Sequence, residues 1–267
     1  MAVVSLSGAI GLSHAVRLAH GVDDQHYTAA VAQKVEPLFV LIEYNPWLMV
    51  IGSDSPTFAL YDDGTLIYWK KEGRSGKYLS TRLSSEQVAR LVSGINQREF
   101  ESLGDRYEPA GGITDQPEYL MILRKKGGTY KSVSIYGRID VVETRVNSKA
   151  LPPALVAAFR YVNAYDSPQA QEWLPDFIEV MIWPYEYAPE KNLDWPKDFP
   201  GLQDARTVQP GDSYTLFIEK SRFTELKEFL SKMGQRQAVQ IGGKKWAIAI
   251  RFPFPEEDVW ARIRSGH

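Results

Sequence analysis

The segment FALYDDGTLIYW, residues 58–69, decides the fold class. Thr57–Tyr61 and Thr65–Trp69 are rich in β-branched and aromatic residues, and Asp63–Gly64 lies between them. Asp-Gly between two such runs is a strong hairpin signal, because tight hairpin turns need residues that accept positive φ. Asp and Gly tolerate that conformation better than other residues, so Asp62–Asp63 requires no metal or substrate to explain it. The pair reads as a turn.

Working back towards the N-terminus, LFVLI (38–42) and WLMVIG (47–52) read as buried strands around Asn45–Pro46. Asp23–Asp24 caps a short helix through Tyr27, Val31 and Val35, which Pro37 stops. The opening AVVSLSGAIGLSHAVRLAHG is apolar like a secretion leader, but no Lys or Arg precedes it, and Ser5, Ser7, Gly8 and Gly11 interrupt it. No segment approaches the roughly 18 uninterrupted apolar residues of a membrane span. The expectation is a cytoplasmic protein, or a periplasmic one if residues 1–20 are, or replace, a leader.

Working forward, LSSEQVARLVSGINQREFESL (83–103) has the spacing of one amphipathic helix. Ser84 and Gln87 fit a capping box, and Val88, Leu91, Val92 and Ile95 form its apolar stripe. A second hairpin follows: EYLMIL (118–123), the basic turn RKKGG (124–128), then TYKSVSIYG (129–137), in which Val133 and Ile135 alternate with Tyr130, Ser132, Ser134 and Tyr136. Residues 138–150 read as a polar loop. LPPALVAAFRYVNAY (151–165) is a helix entered through Pro152–Pro153, with Leu155, Phe159 and Val162 inward.

Beyond Ser167–Pro168 the order changes. Strand DFIEVMIW (176–183) leads into a proline-rich loop to Gly201, then strand YTLFIEK (214–220). Helix SRFTELKEFLSKMG (221–234) follows, with Phe223, Leu226, Leu230 and Met233 inward and Gly234 as its left-handed C-terminal residue. A last hairpin, QAVQI–GGKK–WAIAIRF (237–252), comes after it. The expected class is α+β: antiparallel sheets built from hairpins, with a few packed amphipathic helices. The expected organisation is an N-terminal helical or leader-like segment (1–37), an α+β domain (38–167) and a smaller α+β domain (168–267).

Composition narrows the chemistry. Of 267 residues, 44% are hydrophobic and 24% charged, ordinary globular values, and the net charge of -2 argues against a general nucleic-acid binder. The absence of cysteine removes disulfides, thiolate metal sites and cysteine nucleophiles from consideration. His14, His20, His26 and His267 lie at the extremes of the sequence, a poor distribution for a triad or a histidine metal site. No G-x-S-x-G elbow or phosphate-loop glycine pattern occurs. Asp115 and Glu118 flank Pro117, while Glu179, between Ile178 and Val180, reads as the solvated face of a half-buried strand. No catalytic, cofactor or metal residues are assigned.

Two surface features remain. Basic turns carry Lys70, Lys71, Arg74 and Lys77; Arg124, Lys125, Lys126 and Lys131; and Lys244 and Lys245. They can meet an acidic partner or guard exposed strand edges. The stretch WPYEYAPEKNLDWPKDFPG (183–201) carries Trp183, Tyr185, Tyr187, Trp195 and Phe199 among prolines. Stiff loops with Trp and Tyr make binding surfaces, but the same aromatics can fold back onto the core. Both readings stay open.

The order of segments resembles an uncharacterised bacterial family, many of whose members look like exported lipoproteins. The resemblance rests on PTFALYDDGTLIY (56–68), the L-S-x-x-x-V start of RLSSEQV (82–88), the T-D-x-P turn in ITDQP (113–117), VSIYG (133–137) and Trp195–Pro196. That family implies no activity to carry across, and this chain lacks a lipobox cysteine. The functional expectation is a non-enzymatic module with a protein partner, such as an immunity protein that occludes a cognate toxin. Its candidate interface is Trp183, Tyr185, Tyr187, Trp195, Phe199, Lys125 and Lys126. The alternatives are a periplasmic or cell-envelope protein binding a small ligand in a cleft between the two units, and a hydrolase using carboxylates alone. No nucleic acid and no cofactor are expected.

Overall fold

The computed structural model describes residues 35–265 apart from 49, 51, 74, 110–112 and 140–150. The expected N-terminal helix and most of the 138–150 loop lie outside the described residues.

Strand β1 (Pro37–Tyr44) explains the first sheet. Its sequence PLFVLIEY is a continuous apolar run rather than an alternating one, as befits a strand buried on both faces. It lies between β2 (Pro56–Tyr61) and β6 (Glu118–Arg124), antiparallel to both. With β3 (Thr65–Glu72), β4 (Ser75–Arg82), β5 (Arg106–Tyr107), β7 (Tyr130–Tyr136) and β8 (Gln171–Glu172) the sheet order is β5-β7-β6-β1-β2-β3-β4-β8. Of the second strand expected at 47–52, the described residues 47, 48, 50 and 52 are not in a strand. Both edges of β1 are occupied, and the chain bends instead, with Trp47 72% exposed and Gly52 at φ +87°.

The β2–β3 hairpin forms as expected, in a different turn. Leu60 opposite Leu66 leaves a three-residue loop, Asp62–Asp63–Gly64, in which only Gly64 has positive φ, +86°. Asp63 accepts hydrogen bonds from the Thr65 amide and hydroxyl, both at 2.9 Å, and meets Arg82 at 3.1 Å. Asp62 accepts the Glu36 amide at 3.0 Å and meets Arg124 at 3.3 Å. Both aspartates are thus engaged by the fold. Gly64 has no substitute here: a Cβ would stand 2.3 Å from the Leu83 carbonyl oxygen.

Three helices cover the front face. Helix α1 (Ser85–Ile95) carries the expected capping box, with Gln87 Oε1 accepting the Ser84 amide at 2.7 Å. The expected single helix over 83–103 breaks at Asn96, whose φ of +57° redirects α2 (Gln97–Glu101) and drops Phe100 into the core. Asn is among the few non-glycine residues that accept this conformation. Helix α3 (Pro153–Asn163) buries Leu155, Phe159 and Val162 as expected. The front core joins Phe39, Phe58, Leu66, Met121 and Val133 to these helices.

The second sheet contains β9 (Phe177–Pro184), β10 (Leu193–Asp194), β11 (Tyr214–Glu219), β12 (Val239–Ile241) and β13 (Lys244–Arg251), in the order β10-β12-β13-β9-β11. Its core packs Ile178, Val180, Ile182, Leu216 and Trp246 against helix α4 (Phe223–Ser231). Two turns differ from expectation. The β12–β13 loop is Gly242–Gly243 alone, both at positive φ, so Lys244 and Lys245 are strand residues. Helix α4 ends at Ser231 with tightened i→i+3 bonds at Lys232 and Met233, and Gly234, outside the left-handed region, donates its amide to Gln237 Oε1.

From residue 35 onward the chain forms one compact unit. Strand β8 closes the edge of the first sheet, and the second sheet starts at Phe177. Helix α5 (Asp258–Ser265), not expected from sequence, returns to the back of the first sheet. There Phe254, Val259 and Trp260 cover Val40, Ile42, Ala59, Tyr61, Ile67 and Ile122. Tyr61 donates its hydroxyl to the Pro255 carbonyl at 3.0 Å, and Tyr78 makes edge contacts with Trp173, Phe252 and Phe254. No helix among the described residues is long and apolar enough to cross a membrane.

Candidate functional site: a cleft at the second sheet and the last helix

Three parts of the chain meet around a cleft of about 680 Å³: the end of β1 with the loop after it, the β9–β13 pair, and α5. The loop supplies Asp54. Its Oδ1 accepts the Asn45 amide at 3.0 Å, tying the end of the loop to its start. Ser55 stitches this loop to the end of β13, accepting the Phe252 amide at 3.2 Å and donating to the Phe252 carbonyl at 3.3 Å.

The sheet supplies Glu179, Met181 and Arg251. Glu179 and Arg251 are direct cross-strand partners, so their side chains share a face. Arg251 Nη1 meets Glu179 Oε2 at 2.6 Å, and Nη2 meets Glu257 Oε2 at 2.5 Å. Glu257 also accepts the Phe254 amide at 3.1 Å, which fixes the chain entering α5. Glu179 is 16% exposed, which corrects its reading as a solvated position: alternation gave its face, and the face turns towards the cleft. Helix α5 adds Trp260 and Arg264, whose guanidinium sits 3.6 Å over the Tyr44 ring.

The electrostatics follow from burial. Desolvation holds the Asp54 carboxyl above the usual carboxylate range, against the opposing pull of the Asn45 amide, Arg264 and Arg251. Desolvation also raises Tyr44, which Arg264 partly offsets. For Arg251, burial works to discharge the guanidinium, but Glu257 and Glu179 outweigh it and raise its pKa. Arg251 thus stays charged beside apolar walls.

The residues expected at an interface are scattered. Trp195 and Phe199 fold back onto the core at 8% and 6% exposure; the Trp195 indole donates to the Pro200 carbonyl at 3.0 Å, and Arg222 lies over Phe199. Trp183 and Tyr185 are half-buried, and the Tyr185 amide bonds to the Lys245 carbonyl at 2.9 Å. Tyr187 stands out at 96% exposure. Lys125 and Lys126 belong to the β6–β7 turn in the other sheet, beside a groove of about 260 Å³. The other basic turns are largely paired: Lys70 with Asp166, Lys77 with Glu72, Lys131 with Asp105, and Arg124 with Glu36 and Asp62.

The carboxylates singled out in sequence do not converge. Asp115 sits in a turn at φ +57°, and Glu118 meets Arg106 at 3.1 Å; neither lines the cleft with Glu179. Among the described residues no group of three or more His, Asp or Glu is arranged to hold a metal ion. A second opening of about 770 Å³ lies where β3 ends and α3 stops, bordered by Lys70, Lys71, Tyr119 and Arg138.

Residues 55–164, less than half of the chain, match the family model described as Domain of unknown function (DUF6438). No curated protein and no solved structure matches the chain. The matched stretch runs from the start of β2 to the end of α3, consistent with an uncharacterised family. Of the residues lining the 680 Å³ cleft, Pro56 alone falls within it. The cleft is assembled by the parts that flank the matched domain.

Proposed function

We propose that this chain is a non-enzymatic binding protein that takes a small ligand in the cleft bounded by β1, the β9–β13 pair and α5. The carrying observation is the cleft itself: about 680 Å³, within the size range of small-molecule sites, with apolar walls and a few fixed charges. Ile42, Met181 and Trp260 supply the apolar surface. The Glu179–Arg251–Glu257 cluster is held by hydrogen bonds within the protein, so little side-chain order is lost when a ligand enters. Met181 gives a direct probe. A fragment library screened on protein labelled at the methionine methyl groups should contain compounds that shift the Met181 signal, assigned with Met181→Leu. Ala261→Trp, at an exposed helix position lining the cleft, should abolish those shifts. A library of neutral, cationic and anionic fragments that leaves Met181 unmoved would remove this reading.

A protein partner is the second reading, and one observation favours it. Tyr187 is 96% exposed on a loop whose Trp195 and Phe199 are anchored in the core and whose Pro184 and Pro189 limit its freedom. An aromatic presented on a stiff loop costs little entropy to immobilise. Capture of a stoichiometric partner that Tyr187→Ala releases would support it; capture unaffected by Tyr187→Ala would remove this loop from the interface.

A further inference from the structure

Six ionisable side chains line the cleft, and among the described residues four of them are satisfied within the protein. Arg251 is shared by Glu179 and Glu257, and Asp258 pairs with Arg262 at 3.3 Å on its own helix. The other two are Asp54 and Arg264. Asp54 is held through Oδ1 by the Asn45 amide and makes no ion pair with a described residue. Arg264 is exposed, stacks over Tyr44, and meets no carboxylate of the described residues within ion-pairing distance. The two feel each other's charge without closing on one another. One unmatched anion and one unmatched cation therefore border the same partly apolar opening.

We propose that the cleft takes a zwitterion, an α-amino acid or a short peptide, with its ammonium on Asp54, its carboxylate on Arg264 and an apolar side chain against Met181. This assignment rests on the cleft being a ligand site. A ligand of one sign fits less well. A simple anion meets Asp54 and the surplus negative charge of the Glu179–Arg251–Glu257 cluster, while a simple cation meets Arg264. Burial raises the Asp54 carboxyl although Arg264 and Arg251 pull the other way, and a ligand ammonium would add the close positive charge that no described side chain supplies through an ion pair.

The test is an isosteric charge series on the unmodified protein: leucine, leucinamide (cation only) and N-acetyl-leucine (anion only), with alanyl-leucine as the longer zwitterion. Binding is read by calorimetry and by the Met181 methyl signal. One zwitterion should bind about tenfold or more tighter than both singly charged compounds, the worth of one charge-assisted contact. Asp54→Asn should erase its advantage over N-acetyl-leucine, and Arg264→Gln its advantage over leucinamide. A singly charged compound that binds as tightly as the zwitterions overturns the zwitterion and leaves the cleft as a ligand site. Failure of both zwitterions to move Met181 also overturns it, and the broader fragment screen then decides separately whether the cleft binds anything.

Discussion

Arg251 and Glu179 face each other directly across the β13–β9 pair, 2.6 Å apart and each 16% exposed. With Glu257 on the other arm of the guanidinium, one cation joins two strands to the start of the last helix. Arg251→Ala leaves two half-buried carboxylates facing each other and should cost about 3 kcal/mol of unfolding free energy. Adding Glu179→Gln and Glu257→Gln should recover most of that, because the loss comes from uncompensated charge. Urea unfolding of the single and triple variants checks both; a single variant as stable as the parent would mean that water takes over the arginine's role.

Asp54 gives the protein a pH dependence of defined sign. Its carboxyl is raised in the native state, so the native protein keeps a proton that the unfolded chain releases between the usual carboxylate value and the raised one. This contribution to stability is fully present below the usual carboxylate value and is lost as pH rises through that window. Asp54→Asn retains an acceptor for the Asn45 amide and carries no charge. It should be more stable than the parent at neutral pH, with the difference fading in acid. A gain that stays constant across pH would point to a cause other than ionisation.

Two glycines with positive φ separate conformational strain from collision. Gly127, at φ +101° in the β6–β7 turn, has open space where a Cβ would go, so Gly127→Ala should cost about 1 kcal/mol. Gly64→Ala adds a clash with the Leu83 carbonyl, whose residue also donates its amide to Gly64 O at 2.8 Å. About 3 kcal/mol is expected there. Denaturation midpoints of the two variants, measured side by side, report the difference.

The aromatic loop divides in the same way. Trp195→Ala removes an indole packed against Phe199 and Phe229 and should destabilise the protein by about 3–5 kcal/mol. Tyr187→Ala, at a position touching little, should leave stability within about 0.5 kcal/mol. Thermal unfolding distinguishes them, and only Tyr187 can then serve as a clean probe of partner binding.

Residues 55–164 alone should not fold. They omit β1, the strand between β2 and β6, and residues 252–263, which cover the back face. A fragment of residues 55–164 is expected to show collapsed amide dispersion by NMR and no cooperative urea transition, whereas residues 35–267 show both dispersion and a transition.

What the sequence made legible was local. The hairpin at 57–69 was plain because β-branched runs flank Asp-Gly, and the α1 cap because Ser84 and Gln87 have capping-box spacing. Neither pattern says which strands are neighbours, so β1 lying between β2 and β6 was not visible. Helix α5 was missed although Glu256, Glu257 and Asp258 precede Val259, Trp260 and Ile263, with Arg262 and Arg264 near its end, the charge order a helix dipole favours. The cleft was hidden for a deeper reason. Positions 54, 179, 251, 257 and 264 converge only through the β13–β9 register and the return of α5, which no spacing in the chain encodes.

Residues 252–263 complete a face begun some 200 positions earlier. On a ribosome adding roughly 5–20 residues per second, the strands carrying Tyr61, Ile67 and Ile122 emerge on the order of ten seconds before Phe254 and Trp260 are made. During that interval a broad apolar surface stands bare on the nascent chain. Soluble yield is therefore expected to depend on how quickly the ribosome crosses residues 174–252.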